Sequence, residues 1–541
     1  MESLLVKHVV ERAATIFPNR EIVARTAHDG RHRYTFADFY DRIRRLAAAI
    51  EGLGAGRGDG VGVLGWNSWQ HLEIDYATVC KGSIYQGLNF RLGLDALVYM
   101  SNLANNRVLF VEESFLPLAE RMVAQGANTF DAFVLVSDSR TPPETTLAPL
   151  YRYEDLLTGR AADDYKFPDD IDENDTVAVC FTGGTTGRPK GCPYSNRFLV
   201  LRALTRQSSQ SMGPYNGRDV FFITPPMFHA HAFNLPMDAF IVGAKMVIPG
   251  PHPDGHVFAS MIQEEKVTRF LANPVMGKML LQAEDEGNYD LSSIRHTGFG
   301  GDIVPHEMAQ RFMAMGEVFR SGGHGMAESL ADHTAAFFEE MPEYSPEAAF
   351  ELMQNNAGLP LVGCWTRIMR DDGTLAPQDG VTLGEMQLKG WHIIPEYFRD
   401  PENTAQLFTA DGWLRTGDMG VHNPDGSYAF VTRSKDMIKS GGEWIPSLTL
   451  EHAVTDHPAV REACVIGAPH PTFGERPIAV VTLKEELPDA AAALKGYLTE
   501  KLEKWMVPDV EVVQEMAKTT VGKFNKAALR EQYRDYYAEK N

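Results

Sequence analysis

Short apolar runs alternate along this chain with stretches that carry apolar residues at helical spacing, a pattern that points to an α/β fold. Near the start, Leu5, Val9, Ala13 and Ile16 fall on one helical face and the pattern stops at Pro18, so a surface helix is expected there. DGVGVLGWNS reads as a strand and a turn, with a helix following through WQHLEIDYATVCKG. TVAVCF at 176–181 is an apolar strand that runs into a loop rich in Gly and Thr. VFFITPP at 220–226, AKMVIPG at 244–250, GEMQLKG and GSYAFVTR read as further strands. From about residue 435 the texture becomes a compact βα unit: AVREACVIGAP, then PIAVVTLK, then a helix through DAAAALKGYLTEKLEKW. A domain boundary is therefore expected near 433–436.

Length and charge narrow the picture. The 541 residues suffice for two or more domains with large cores. The 51 basic residues against 72 acidic ones leave a net charge of −21, which argues against nucleic acid as a partner. A phosphate ligand stays compatible, provided its site is locally basic. The five cysteines, Cys80, Cys180, Cys192, Cys364 and Cys464, are scattered and form no CxxC pair. They fit a reducing, cytoplasmic setting and supply no metal framework. No uncharged apolar run reaches the roughly 18–20 residues of a membrane span, so no integral membrane segment is expected. The N-terminal helix lacks the uninterrupted apolar stretch of a signal peptide, and the terminal AEKN is not a peroxisomal address.

Gly60-Val-Gly62-Val-Leu-Gly65 has the spacing of a dinucleotide fingerprint. Its glycines fall inside a strand, and no acid follows at the required distance, so it is read as a decoy. Phe181-Thr182-Gly183-Gly184-Thr185-Thr186-Gly187-Arg188-Pro189-Lys190-Gly191 is the strongest local signal. Its glycines let backbone N–H groups approach an anion, the threonines add hydroxyls and Lys190 adds a cation. Pro189 directly before the lysine sets it apart from the Walker A loop. His229 and His231 form an HxH pair that a strand would place on one face. Zinc needs further ligands, so no metal is expected there.

The loop resembles that of the acyl-adenylate-forming superfamily, which includes acyl- and aryl-CoA synthetases, peptide-synthetase adenylation domains and firefly luciferase; Gly183 stands where serine is usual. His324-Gly325-Met326-Ala327-Glu328 is similar to the family's YGxTE, with His324 in the place of the adenine-stacking Tyr and Ala327 in the place of Thr. The resemblance makes Glu328 the Mg²⁺ ligand. Gly412-Trp-Leu-Arg-Thr-Gly-Asp418 matches in full, and it implies ribose binding by Asp418, joined by Arg433. Lys435 takes the hinge position, and Lys439 lies in the loop that serves thioester formation. Ser440, Gly441, Gly442, Glu443 and Trp444 fall where CoA binds. Lys523, in Val521-Gly522-Lys523, takes the place of the catalytic lysine. Gly300, Gly301 and Asp302 resemble the segment that lines adenine and the acyl pocket. His229 corresponds to the aromatic gate. His231, Phe233, Asn234, Gly298, Gly323 and Trp391 are expected around the acyl chain, and the YTFADFYDRIRRLAAAI segment also fits the family.

The resemblance therefore implies a large multi-layer α/β N-terminal domain over 1–432, a hinge at 433–435 and a small α+β lid over 436–541. It implies catalytic roles for Lys523, Glu328, Lys439 and His229. ATP, Mg²⁺, coenzyme A and a small carboxylic acid are the expected ligands, and a homodimer is allowed for. Ser440-Gly-Gly-Glu-Trp444-Ile-Pro and Tyr194-Ser195 are similar to the subgroup of medium-chain fatty-acid and methylmercaptopropionate-CoA ligases, although Asn196 and Trp391 depart from the usual residues. Medium-chain, short thioether and aromatic acids all stay open as substrates. No carrier segment follows Asn541, which favours coenzyme A as acceptor. Two alternatives remain: an adenylation enzyme that loads a separate carrier protein, and a weakly active nucleotide-binding homologue.

Overall fold

Strands rich in Val, Leu, Phe and Ile can be buried on both faces, and such strands pair in parallel beneath helices. In the computed structural model, which describes residues 3–139, 143–182, 188–209, 213–301, 304–336, 345–355, 357–517 and 524–539, they build two seven-stranded sheets. One runs in the order Val318–Arg320, His296–Phe299, Arg269–Ala272, Val220–Phe222, Lys245–Ile248, Glu21–Arg25, Arg31–Thr35. The other runs Leu150–Arg152, Ala132–Val136, Asn106–Glu112, Gly60–Leu64, Ile84–Gly87, Thr176–Thr182, Lys190–Ser195. Each sheet is parallel except for an antiparallel pair at one edge. In the second sheet that edge pair is the hairpin around the Gly/Thr loop, with Thr182 opposite Lys190.

The chain divides into two compact units, Met1–Trp365 with Leu388–Leu414, and Thr366–Gln387 with Arg415–Asn541. Both large sheets belong to the first. In the second, the strand that begins at Leu414 and runs to His422 pairs antiparallel with Tyr428–Arg433 from Asp418 onward. Val460–His470 and Gly474–Leu483 form a long antiparallel pair to which Asp509–Val512 adds a parallel strand. The helices Ser447–Thr455 and Ala490–Lys501 contribute Leu450, Val454, Leu494 and Leu498 to the core over that sheet.

The expected strands at 60–64 and 176–181 form, those expected at 220–226 and 244–250 form over Val220–Phe222 and Lys245–Ile248 only, and the helix Trp69–Lys81 forms as well. Gly60 and Gly62 lie within their strand, where a Cβ would stand 2.5 Å from the Ala104 carbonyl oxygen and 2.9 Å from Asn106 Nδ2. Those glycines serve close packing, which accounts for the decoy motif. The N-terminal helix spans Val6–Ile16, but it buries Val6, Val10 and Ala13 and leaves Ile16 exposed, so its inner face is rotated from the expected one. All 13 residues of Trp69–Lys81 are buried, including His71, Glu73, Asp75 and Lys81. Each of these polar groups is matched inside. Glu73 accepts from Arg42 at 2.9 Å and from Tyr153 at 2.6 Å. Lys81 donates to the Ala55 carbonyl at 2.7 Å, and Asp75 meets His231 at 2.9 Å. Among the described residues no helix is long and apolar enough to cross a membrane.

Candidate active site

The Gly/Thr loop leaves a strand at Thr182 and returns on another at Lys190, so an edge hairpin fixes both of its ends. Residues Gly183, Gly184, Thr185, Thr186 and Gly187 lie outside the described residues. Lys190 Nζ stands 4.9 Å from the centre of the Tyr397 ring, a cation–π contact. The Tyr397 hydroxyl in turn donates to Glu328 Oε1 at 2.6 Å. Three groups from distant parts of the sequence thus meet in the first unit: the loop lysine, a phenol and the carboxylate expected to hold Mg²⁺. Burial and the charge of Glu328 push the Tyr397 phenol far above its ordinary range, so it stays a donor throughout the neutral pH range.

Glu328 is 7% exposed and sits on the short turn Ala327–Ser329. The turn is held from several sides. Tyr194, on the strand after the loop, donates its hydroxyl to the Ala327 carbonyl at 2.8 Å. The Ile394 N–H donates to the Glu328 carbonyl at 2.9 Å, and His392 Nδ1 lies 3.0 Å from the Ser329 carbonyl. Before the turn, Gly325 and Met326 pair with Asp332 and Ala331. Gly323 has φ +82°, and a Cβ there would come within 2.4 Å of the Thr334 carbonyl, so the sharp approach to His324 requires glycine. His324 is buried edge-to-face against His333, with centroids 4.9 Å apart.

Behind these turns runs the helix Asn196–Ser209, which follows the loop hairpin directly. Arg202 and Arg206 lie four residues apart on it, hence on one face, and both are almost wholly buried. Arg202 donates to the Leu330 carbonyl at 2.9 Å and pairs with Asp332. Arg206 pairs with Asp238 at 2.7 Å and donates to the Phe233 carbonyl at 2.6 Å. One helix face therefore holds the segment behind Glu328 and the segment after His229. Arg206→Leu strands the fully buried Asp238 carboxylate. It should lower the stability of this unit by about 3–5 kcal/mol in urea unfolding, and adding Asp238→Leu should recover most of the loss.

The segment after His229 is not extended, so the two histidines do not share one face as they would on a strand. Ala230–Asn234 is a left-handed turn that separates the two histidines: His229 is exposed and lies edge-on to Phe233 at 5.7 Å, while His231 is buried. Asn234 is also buried and donates to the Leu199 carbonyl at 2.9 Å. Gly298 lies within the buried strand His296–Phe299, and Gly300 and Gly301 follow it with open space at the Cβ position. Asp302 is outside the described residues. Trp391 is 50% exposed and covers Gly363, where a Cβ would meet its ring at 2.2 Å.

In the second unit Asp418 and Arg433 are direct cross-strand partners, with Arg433 Nε 3.6 Å from Asp418 Oδ1. Lys435 lies in the short turn Ser434–Asp436, whose Asp436 pairs with Arg530 at 2.6 Å. Gly441 and Gly442, with φ +62° and +96°, make the two-residue connection of the hairpin Met437–Ser440/Glu443–Pro446. That hairpin sets Lys439 Nζ 5.1 Å over the Trp444 ring and leaves Trp444 exposed. The Gly441 N–H donates to the Phe473 carbonyl at 2.8 Å, and Arg476 Nη1 lies 3.4 Å from the buried Ser440 hydroxyl. Lys523 lies outside the described residues. The Asn525 N–H donates to the Ala517 carbonyl at 2.8 Å, and Lys526 pairs with Glu451 at 2.8 Å, so both ends of the Lys523 segment are tied.

The sequence reading passed over Tyr397, Arg202, Arg206, Asp75, Phe473 and Arg476. Only Tyr397 carried a local signal, since it stands in the same KGWHIIPEYF stretch as Trp391.

Known proteins resemble this chain over nearly its whole length. Residues 10–398 match the family model described as AMP-binding enzyme, and 449–523 match the AMP-binding enzyme C-terminal domain. A long-chain-fatty-acid–CoA ligase of Thermus thermophilus is 36% identical over 537 residues, which cover 99% of this chain and 97% of that protein. A 3-methylmercaptopropionyl-CoA ligase of Ruegeria lacuscaerulensis is 34% identical over 99% of this chain and 98% of its own length. A medium-chain-fatty-acid–CoA ligase of Ectopseudomonas oleovorans is 32% identical over 98% and 96%. Among solved structures, an anthranilate CoA ligase in complex with anthranoyl-AMP shares the fold with a TM-score of 0.84 at 23% identity, covering 99% of both chains.

Proposed function

We propose a working chemistry from one premise: this chain belongs to the AMP-binding enzyme family and is an ATP-dependent acid–thiol ligase. It joins a carboxylic acid to coenzyme A in two steps. The carboxylate oxygen first attacks the α-phosphorus of ATP, and the bond to the bridging oxygen breaks to release pyrophosphate. The thiol of coenzyme A then attacks the acyl carbonyl, loses its proton and expels AMP. Both steps depend on positioning and on offsetting charge more than on covalent help from the protein. The observation that carries this reading is the Lys190–Tyr397–Glu328 cluster at the mouth of the Gly/Thr hairpin.

Within it we assign Thr182, Gly183, Gly184, Thr185, Thr186, Gly187 and Lys190 to the phosphates. Gly301, Asp302, His324, Gly325, Met326 and Ala327 go to the nucleotide. Asp418 and Arg433 go to the ribose, an assignment supported by their cross-strand pairing. Ser440, Gly441, Gly442, Glu443 and Trp444 form a coenzyme A surface. The donor set fits Mg²⁺, because this cation is held through one or two carboxylates together with substrate phosphates, and Glu328 is one buried carboxylate with an orienting donor. When bound it would offset the charge of the phosphate oxygens. Lys435 is proposed as the hinge residue between 1–432 and 436–541. A cytoplasmic location is an expectation of the sequence, and a homodimer is allowed for.

Medium-chain, short thioether and aromatic acids make up the substrate panel. Acid-dependent AMP formation, measured with ATP and either coenzyme A or a carrier protein, tests the assignment. Thioester formation only on a carrier would overturn coenzyme A as the acceptor. Asp418→Ala should raise the Michaelis constant for ATP roughly ten- to a hundredfold, since two ribose hydroxyls lose a charged acceptor. An unchanged constant would remove Asp418 from the nucleotide site.

A further inference from the structure

Five consecutive residues without a glycine, Ala230, His231, Ala232, Phe233 and Asn234, have φ between +48° and +62°. Left-handed backbone costs an L-residue roughly 1–2 kcal/mol, so a whole turn of it is expensive. It persists only where the surroundings over-determine it, and such strain gathers at ligand clamps. The surroundings here are specific. The Ala230 N–H donates to Cys180 Sγ at 3.2 Å, Arg206 holds the Phe233 carbonyl and Asn234 is bonded to Leu199.

The turn drives His231 inward. Its Nδ1 lies 2.9 Å from Asp75 Oδ2, on the helix that is buried throughout. A carboxylate only accepts, so Nδ1 carries the proton, and in the neutral ring Nε2 is left as a bare acceptor. Nε2 is buried and has no hydrogen-bond partner within the protein among the described residues. The two adjacent phenols are committed elsewhere. Tyr85, with its ring 4.8 Å away, has its hydroxyl between His71 Nε2 at 2.8 Å and the Met227 carbonyl at 3.1 Å. Tyr194, at 6.0 Å, donates to the Ala327 carbonyl beside Glu328. One aromatic ring therefore separates the unpaired acceptor from the turn that carries the phosphate-side carboxylate.

A buried acceptor left unpaired is costly, and this one sits on a strained turn one aromatic ring from the turn that carries Glu328. We propose that His231, oriented by Asp75, is a specificity residue that accepts a hydrogen bond from a hydroxyl or N–H on the body of the acid. The ligase then prefers acids carrying such a donor over hydrocarbon acids of the same shape. This deepens the acid-ligase reading and rests on it. A thioether or a ketone offers no donor and gains nothing at a bare nitrogen, and a second carboxylate is disfavoured by Asp75.

The test uses the full-length enzyme and matched sets of acids on one skeleton: parent, hydroxyl and ketone, with the polar group placed mid-chain, at the chain end and on an aryl ring. Acid-dependent AMP formation gives kcat/KM for each. At one or more positions the hydroxy acid should exceed its parent roughly ten- to a hundredfold, with the ketone no better than the parent. In His231→Leu that ratio should fall close to one, and His231→Gln, which keeps an acceptor, should recover part of it. Equal use of hydroxy acid and parent at every position, a preference for the ketone, or an unaltered ratio in His231→Leu would each overturn the proposal. These outcomes leave the ligase reading intact, because they require turnover. Absence of AMP formation with every acid would instead overturn that reading, and the proposal with it.

Discussion

Glu328→Gln should give a folded protein that forms acyl-adenylate roughly a hundred- to a thousandfold more slowly than the parent enzyme. The substitution is nearly isosteric, and the amide oxygen can still accept from the Tyr397 hydroxyl that reaches Glu328 Oε1 at 2.6 Å. The Ala327–Ser329 turn is also held through its backbone by Tyr194, His392 and the Ile394 N–H, so its shape does not depend on the carboxylate charge. What disappears is the negative charge that would hold the proposed Mg²⁺, which in turn would offset the charge of the phosphates. Acid-dependent pyrophosphate release at saturating ATP and acid, followed across a magnesium titration, measures the effect. Tyr397→Phe is the comparison: it removes only the orienting bond, and its loss should be distinctly smaller. Near-normal release by a folded Glu328→Gln protein would make Glu328 a structural residue of the turn.

The strands at 60–64 and 176–181 and the Gly/Thr loop after the second were legible in the sequence because apolar runs and glycine clusters are local signals, whereas the return strand Lys190–Ser195 was not. The inner face of the first helix was misread because Ile16 lies at its last turn, where little packs over it. The helix Trp69–Lys81 was recognised as a helix, yet its burial was not. Periodicity reports a contrast between a wet face and a dry one, and a helix enclosed on every side has no such contrast. His71, Glu73, Asp75 and Lys81 would each pass for surface residues until their tertiary partners are known. The same holds for Arg202 and Arg206, which sit at ordinary helical spacing in FLVLRALTRQ. The left-handed turn at 230–234 left no trace at all, since neither glycine nor a turn dipeptide marks it. Its geometry comes from Arg206, Asn234 and Cys180, contacts that only the fold assembles. For the candidate site, the order of the motifs singled out Glu328, Asp418 and Lys190, and the structure brings Glu328 and Lys190 together around Tyr397. The phenol that joins two of them, Tyr397, became visible only through distance.

The largest separation of effects is expected between two lysines of the second unit, because we propose that this unit takes part in both half-reactions. Lys523 follows the pinned end at Ala517 and precedes Asn525, whose N–H closes that segment at 2.8 Å. Lys526 anchors the next helix on Glu451 and on Ser447, each at 2.8 Å. Lys523 itself lies outside the described residues, and we propose that it serves the adenylation step. Negative charge builds there as a carboxylate approaches a triphosphate, and an ammonium in a water-poor site can lower that barrier by several kcal/mol. Lys523→Ala should therefore lose acyl-adenylate formation by roughly two to three orders of magnitude. It should still convert supplied acyl-adenylate and coenzyme A to thioester. Lys435 is placed differently: it is exposed within the turn Ser434–Asp436, and its backbone carbonyl accepts from Arg530 at 3.1 Å. Proline at 435 would fix φ and push Ser434 out of the helical region it occupies, which hinders any rotation about this turn. Lys435→Pro should keep most of the adenylation and lose the thioester step. Each half-reaction is assayed alone, pyrophosphate release for the first and thioester formation from synthetic acyl-adenylate for the second. Equal loss of both halves in both variants would place the two lysines in a single fixed site and would rule out the hinge at 433–435.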